Sequence, residues 1–467
     1  MAARAAVERV AAGVRRHPWF VAWLSFLPVL FIRAGTMAES DTFWQVRTGI
    51  LTLSHWSLPT TDPYSWTALG RPWRLNSWGF NVVVGALDHI GGLAAVALGS
   101  EAIVAAALWV VLLLAKRRDA HPFVAAVSVH VAILLLFTFL SARPQVVDYL
   151  AVLLIVLLLD DLIGSRGRPW RLVAAIGIVS VLWVNLHATT IMGVGLIGAV
   201  AAGTYVLPST RSRTPWCLAA LLAALAGMLA NPYGVDVVRQ SFEVADASTE
   251  SIVEWQRLDL GDPGQLLPLL VGVLGLVIAV RRRDVLFIAI LAATSVSALY
   301  ALRMLPFATL AALPLVASAA STAVIKDYIH SRRVMLTQGV LPLMALLLVL
   351  AAPVTTHLGR PDPDTYSAGL VAQLPQGCHL FNSYPTGGFV ILARPDVRVS
   401  IDSRNDMYGE RLVNSADRAI KRPRAADLAG AGCALVPSGS GAARWLSRRD
   451  DWRRVDSDAI AVLYVRR

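Results

Sequence analysis

Charge is what this chain has least of. Only 16% of its 467 residues are charged, where a soluble domain carries about a quarter. With 56% hydrophobic residues and a mean hydropathy of +0.59, a soluble globular protein of this length is excluded. Cysteine is scarce too: there are three, and no CxxC pair that would signal a zinc site or a dithiol redox centre. The sequence contains no HExxH, no glycine-rich phosphate loop and no serine nucleophile elbow, so nucleotide-driven cytoplasmic chemistry has no support. Collagen-like, coiled-coil and low-complexity tracts are absent, and no internal repeat is discernible.

What is abundant is long apolar sequence. Runs approaching or reaching the roughly 20 residues that cross a bilayer recur near 19–37, 93–115, 121–140, 146–161, 172–186, 188–208, 215–230, 263–280, 285–301, 304–325 and 334–353. This predicts about eleven transmembrane helices, the first retained rather than cleaved as a signal peptide. The net charge of +11 sits largely in short connectors and calls for no nucleic acid. Arg15 and Arg16, then Lys116 to Arg118, Arg166, Arg168 and Arg171, Arg211 and Arg213, Arg281 to Arg283, and Lys326, Arg332 and Arg333 all fall on one side if every run spans. By the positive-inside rule that side is cytoplasmic. The N-terminus is then inside, and loop 38–92, loop 231–262 and the tail face outward. Residues 1–353 are expected to form the membrane domain, including both outward loops. Residues 354–467 are expected to form a small extracytoplasmic α/β domain, with strand-like patches in 378–402, CALVP and AVLYVRR and helix-compatible stretches at 405–430 and 440–450. Cys378 and Cys433 both fall in this tail and can pair if their geometry allows.

Loop 38–92 carries most of the chemistry. Short helices are expected over 43–54 and 77–90, lying along the interface. Glu39 and Asp41 stand at the mouth of the first span. A carboxylate there can deprotonate a hydroxyl; equally, Asp41 can cap a helix or pair with Arg47. Asp62 precedes a proline and reads either as a polar site residue or as the organiser of a turn. Trp44, Trp56, Trp66, Trp73 and Trp78 suit a headgroup belt, yet their density among acids and arginines also suits a site. Arg47, Arg71, Arg74, Arg143 and Arg303 are outward, against the charge trend. Arginine forks match phosphate oxygens, and an arginine near hydrocarbon is a site hypothesis by default; snorkelling to headgroups is the plain alternative. Glu254 beside Trp255 combines an acid with an aromatic platform, and Asn185 and His187 lie at an outer membrane edge. No cofactor is required; Glu39, Asp41 and Glu254 are possible ligands for a divalent metal, but nothing demands one.

With those residues set out, the chain resembles the GT-C superfamily of integral membrane glycosyltransferases, closest to largely uncharacterised bacterial members related to the protein mannosyltransferase and lipid A aminoarabinose transferase type. The resemblance rests on DTFWQVRTG at 41–49, PTTDPYSWTALGRPW at 59–73, SARPQ at 141–145, NLH at 185–187, NPYG at 231–234, EWQRLD at 254–259 and the pair FNSYPTGGFV (381–390) and VSIDSRNDMYG (399–409). It implies a multi-pass bacterial plasma-membrane enzyme with an extracytoplasmic site, moving a sugar from a polyprenyl-phosphate donor to an envelope lipid, glycan or protein by inverting displacement. It makes Asp41 the base, with Glu39 as its neighbour. Arg303, Arg143, Arg47 and Arg74 would hold the donor phosphate, and Glu254, Trp255, His187, Trp44 and Asp62 would bind acceptor or sugar. One departure is that Ser40 separates the two acids, which are adjacent in many relatives. A flippase for a lipid-linked sugar, or a non-catalytic envelope-assembly protein, would use the same features.

Overall fold

A computed structural model of the chain describes residues 16–239, 253–328 and 341–467. Arg15, Arg332, Arg333, loop residues 240–252 and the first part of the last predicted span, 334–340, lie outside the described residues. The chain divides into two compact units. One comprises Met1–Gly35, Ser100–Val237 and Glu254–His357; the other comprises Thr36–Gly99, Val238–Val253 and Leu358–Arg467. The sequence boundary at 353–354 lies close to the break after His357. Loop 36–99 groups with the tail instead of with the spans.

The first unit is helical. Among the described residues, each predicted span falls on an apolar helix. Five are long and apolar enough to cross a membrane: Trp78–Arg117, Pro169–Leu186, Arg211–Leu229, Pro263–Arg282 and Leu302–Thr322. Shorter apolar helices include Pro122–Leu135, Thr190–Val206 and Val285–Tyr300. The first span is two pieces, Pro18–Leu24 and Leu27–Arg33. Proline opens several of these helices, at Pro122, Pro169, Pro215 and Pro263. Its fixed φ suits a first turn, where no N–H is needed for the helix ladder. Small residues set the closest packing. Gly275 lies so near Ala312 that an added Cβ would come within 2.5 Å of the alanine Cβ, and one at Gly227 would come within 2.7 Å of the Gly177 carbonyl. Such contacts hold helices together where lipid removes the hydrophobic drive.

The basic connectors meet at one end of this unit. Arg117 pairs with Asp160 (3.3 Å) and Asp161 (2.8 Å), and Arg118 with Asp160 (2.8 Å) and Asp284 (3.0 Å). Arg166 joins Asp160 and, at 3.2 Å, Asp161. Connectors far apart in sequence that the charge rule assigns to one side are therefore neighbours in space.

The second unit is a mixed sheet with helices and the first long loop. Its strands are β1 (Thr36–Met37) and β2 (Arg360–Pro361), which form a small sheet of their own, and β3 (His379–Asn382), β4 (Arg398–Val399), β5 (Cys433–Pro437), β6 (Trp452–Ser457) and β7 (Ala461–Arg466), which form the main sheet in the order β4-β3-β5-β7-β6. β3 runs parallel to β4 and β5; β7 runs antiparallel to β5 and β6. A disulfide joins Cys378, just before β3, to Cys433, the first residue of β5, with Cα atoms 6.2 Å apart. The loop extends the edge: Trp66 N–H bonds the Val399 carbonyl (3.0 Å), Val399 N–H bonds the Tyr64 carbonyl (3.2 Å), and the Trp66 ring stacks on His379. A second small pairing, Thr36–Met37 against Arg360–Pro361, ties the start of the loop to the start of the tail.

Two features of the tail were not legible in the sequence. Between the strand-like patches that become β3 and β4, YPTGGFVILA is a helix, Tyr384–Ala393. Pro385 lies in its first turn, and Phe389, Val390 and Ile391 are buried, so a continuous apolar run carries no period that separates helix from strand. Gly388 lets this helix touch helix Ser40–His55: a Cβ there would collide with the Ser40 carbonyl. β6 was not legible either, because most of WRRVDS is polar and exposed. The loop helices do occur where expected, over Ser40–His55 and from Trp78. The second continues into the next span through a break at Gly91 and Gly92, the latter at φ +63°, a value glycine adopts freely.

Candidate functional site

Two groups of polar side chains stand out, one in each unit.

In the helical unit, Asp148 is the hub. It belongs to helix Gln145–Ile163 and is 1% exposed. It accepts bonds from the Trp183 indole (2.7 Å), the Thr189 hydroxyl (2.7 Å) and His187 Nδ1 (2.8 Å). The imidazole, at the NLH turn between helices Pro169–Leu186 and Thr190–Val206, is thereby fixed in orientation. Close by in the same unit, Arg143 bonds Ser141 (2.9 Å) and pairs with Glu254 (2.5 Å). The Arg303 guanidinium lies 4.3 Å from the centre of the Trp255 ring. Two backbone bonds bring these segments together: Leu302 N–H to the Gln256 carbonyl (3.1 Å) and Leu258 N–H to the Leu299 carbonyl (3.4 Å). Glu254 and Asp148 both act electrostatically on Arg303. The structure thus gathers Arg143, Arg303, Glu254, Trp255 and His187. Asp148 was not singled out from the sequence, although an acid inside an apolar span is itself a signal.

In the second unit, Asp41 lies in the first turn of helix Ser40–His55 and Glu39 at its N-cap position. Unpaired N–H groups and the helix dipole favour a carboxylate there. Asp41 accepts from the Trp44 indole at 3.1 Å, and the same N–H reaches the Ser403 hydroxyl at 3.1 Å. Nearby, the Tyr384 phenol donates to Asn405 Oδ1 (2.8 Å) and the Tyr366 phenol to the Ala38 carbonyl (2.6 Å). Burial raises both phenols, and Asp41 raises both further. They stay protonated at neutral pH.

Behind this face lies a buried clamp. Arg404, 1% exposed, bonds Asp402 through Nε (2.8 Å) and a terminal nitrogen (2.6 Å), and Asp62 through the other (2.7 Å). Trp73, Tyr64 and Tyr408 surround the guanidinium at 4.6, 5.0 and 5.5 Å. Burial works against its charge, but Asp402, Tyr408 and Asp62 more than offset that. Asp62 also takes the N–H groups of Tyr64 (3.0 Å) and Ser65 (3.1 Å) and the Ser65 hydroxyl. Asp62 therefore organises a turn and anchors Arg404. Trp44 (6% exposed) and Trp73 (4%) are interior residues, which corrects their placement in a headgroup belt; Trp56, 89% exposed, remains suited to one. Arg47 and Arg74 belong to this unit, whereas Arg143 and Arg303 belong to the other. Arg71 donates to the Tyr408 carbonyl (3.0 Å). Among the described residues, no three His, Cys, Asp or Glu side chains are grouped so as to hold a metal ion.

Asp406 gives the site a pH signature. Its carboxyl is pushed up from 3.8 to about 6, by burial first, with Arg404 opposing and Asp41 and Asp402 adding. The folded chain then holds this proton more tightly than the unfolded chain. The contribution to stability is complete at low pH, falls as pH rises from about 4 to 6, and is flat above. Melting curves of wild type and Asp406→Asn should therefore diverge across that window, the variant gaining relative stability as pH rises. Parallel curves from pH 4 to 7 would remove Asp406 from the account.

No protein-family model matches the chain, and no curated protein matches it in sequence. Among solved structures it is similar to the archaeal oligosaccharyltransferase AglB from Archaeoglobus fulgidus, determined in complex with an inhibitory peptide and a dolichol-phosphate. The TM-score is 0.54 at 11% identity, over 91% of this chain and 70% of that one. At that identity the likeness is one of fold. The chain is a polytopic α-helical membrane protein with a small C-terminal mixed-sheet segment, and its fold is similar to that of the oligosaccharyltransferase.

Proposed function

We propose that this protein is a glycosyltransferase that moves a sugar from a polyprenyl-phosphate donor to a lipid, glycan or protein acceptor on the extracytoplasmic side of a bacterial membrane. The observation that carries the reading is the fold likeness, over 91% of the chain, to an oligosaccharyltransferase whose structure contains dolichol-phosphate. The acid at the start of helix Ser40–His55 is the candidate base such a transfer needs.

In this mechanism the acceptor oxygen attacks the anomeric carbon while Asp41 takes the acceptor's proton. The bond between that carbon and the phosphate oxygen breaks, and polyprenyl phosphate leaves with its electron pair. The charge developing on the leaving phosphate calls for arginine donors; Arg143 and Arg303 are the helical unit's candidates for binding the donor phosphate. Glu254 keeps Arg143 oriented, and Trp255 supports Arg303. Asp148 holds His187 beside them.

The test is transfer by purified protein in lipid, with a panel of radiolabelled polyprenyl-phosphate sugars and crude envelope extract as acceptor. Arg303→Gln should raise the donor KM roughly tenfold or more, since a bond to a charged group contributes about 1.5–3 kcal/mol. No transfer with any donor, together with passage of labelled lipid-linked sugar across liposomes, would replace the enzyme with a transporter.

A further inference from the structure

The motif VSIDSRNDMYG has two faces. Asp402, Arg404 and Tyr408 turn into the clamp with Asp62. The residues between them turn to Asp41. Ser403 shares the Trp44 indole with Asp41, Asn405 receives the Tyr384 phenol, and Asp406 is within electrostatic reach of Asp41. Asn405 is 5% exposed, and its Nδ2 has no hydrogen-bond partner within the chain. A buried amide donor left open is uncommon in folded proteins and asks for an oxygen from outside.

We propose that Ser403, Asn405 and Asp406 complete a subsite for the hydroxyl groups of a carbohydrate acceptor, next to Asp41. This rests on the glycosyl-transfer reading and narrows its acceptor to a glycan or glycolipid sugar. The chemistry matches a pair of neighbouring hydroxyls. One hydroxyl donates its proton to the Asp406 carboxylate, and its neighbour accepts from Asn405 Nδ2 while facing Asp41. Tyr384 holds the amide so that its nitrogen, not its oxygen, is presented. An apolar acceptor surface would leave both carboxylates and the amide unmatched. The clamp explains why the segment can be held so firmly: Arg404 fixes the backbone from behind, so Asn405 and Asp406 need no other anchor. Asp406 and Asn405 are positioning residues here, and Asp41 takes the proton.

The test uses the full-length protein in lipid, wild type against Asn405→Ala, Asp406→Asn and Asp406→Glu, each checked at pH 7 for a cooperative melting transition. Acceptor KM should rise at least tenfold in Asn405→Ala and Asp406→Asn while donor KM stays within twofold, and Asp406→Glu should recover part of the loss. Equal shifts in donor and acceptor KM, or no shift, would overturn the subsite. A second readout does not depend on turnover: direct binding of linear mannose, galactose and arabinose oligosaccharides, measured by saturation-transfer NMR. Binding by wild type that weakens at least tenfold in Asn405→Ala supports the subsite even if no donor is accepted. No binding by wild type, or equal binding by both, overturns it, while the transfer assay alone decides whether the protein is a glycosyltransferase.

Discussion

Asp41→Asn is expected to lower sugar transfer by about 10²–10⁴-fold, the range a positioned general base contributes. The substitution keeps the size of the side chain, and its amide oxygen can still accept from the Trp44 indole now 3.1 Å from the carboxylate. What disappears is the charge and the ability to take a proton. The helix start favours an anion at this position by only a few tenths to about 1 kcal/mol, so the fold should survive. Glu39→Gln is the matched control. Glu39 occupies the N-cap position and makes no side-chain capping bond, and its loss should cost far less. Transfer rates and melting temperatures of the three proteins decide the matter. If Asp41→Asn keeps activity within threefold of wild type, Asp41 is not the base.

Arg404→Met is expected to be the most damaging substitution for the second unit. Among the described residues it removes the one cation that pairs with both Asp62 and Asp402, whose side chains, like that of Arg404, are fully buried. Breaking a buried pair from one side typically costs about 3–5 kcal/mol, because a charge is left without compensation. Here two carboxylates are left facing each other. Protection of segment 358–467 against protease, followed across a urea series, should show the midpoint fall sharply. Adding Asp402→Asn to Arg404→Met should recover part of the loss by removing one stranded charge. A single-variant loss below about 1 kcal/mol, the scale of an exposed pair, would mean the clamp is incidental.

The sequence revealed the parts of this protein whose signal is local. Apolar runs and the sign of their connectors located the spans, and the gathered Arg117, Arg118, Arg166 and Asp160 network agrees with that grouping. The short helices expected over 43–54 and 77–90 occur over Ser40–His55 and from Trp78, the second running on through Gly91–Gly92. What stayed hidden depends on partners far away in the chain. Asp62 looked like a turn residue, and it is one, but its second partner lies 342 residues on. Trp44 and Trp73 carry the same side chain as Trp56, and only the tertiary fold separates the interior pair from the exposed one. Asp148 announced itself only as an acid in an apolar run; its role required Trp183, His187 and Thr189 to converge on it. Helix Tyr384–Ala393 stayed hidden for another reason: a short, mostly apolar stretch has no period to read.

The pairing of Asp62 with Arg404 also sets an order of events during biosynthesis. The loop leaves the ribosome first, and the arginine it needs is made 342 residues later. At about 5–20 residues per second, the 342 residues between them take roughly 20–70 s to synthesise. For all of that time the nascent loop carries an acidic turn awaiting its counterion and an open strand edge at Tyr64–Trp66. A chain that stops short of Val399 never closes either one. Termination before Arg404 therefore leaves its mark 342 residues away from the defect, in an acidic turn that keeps no counterion.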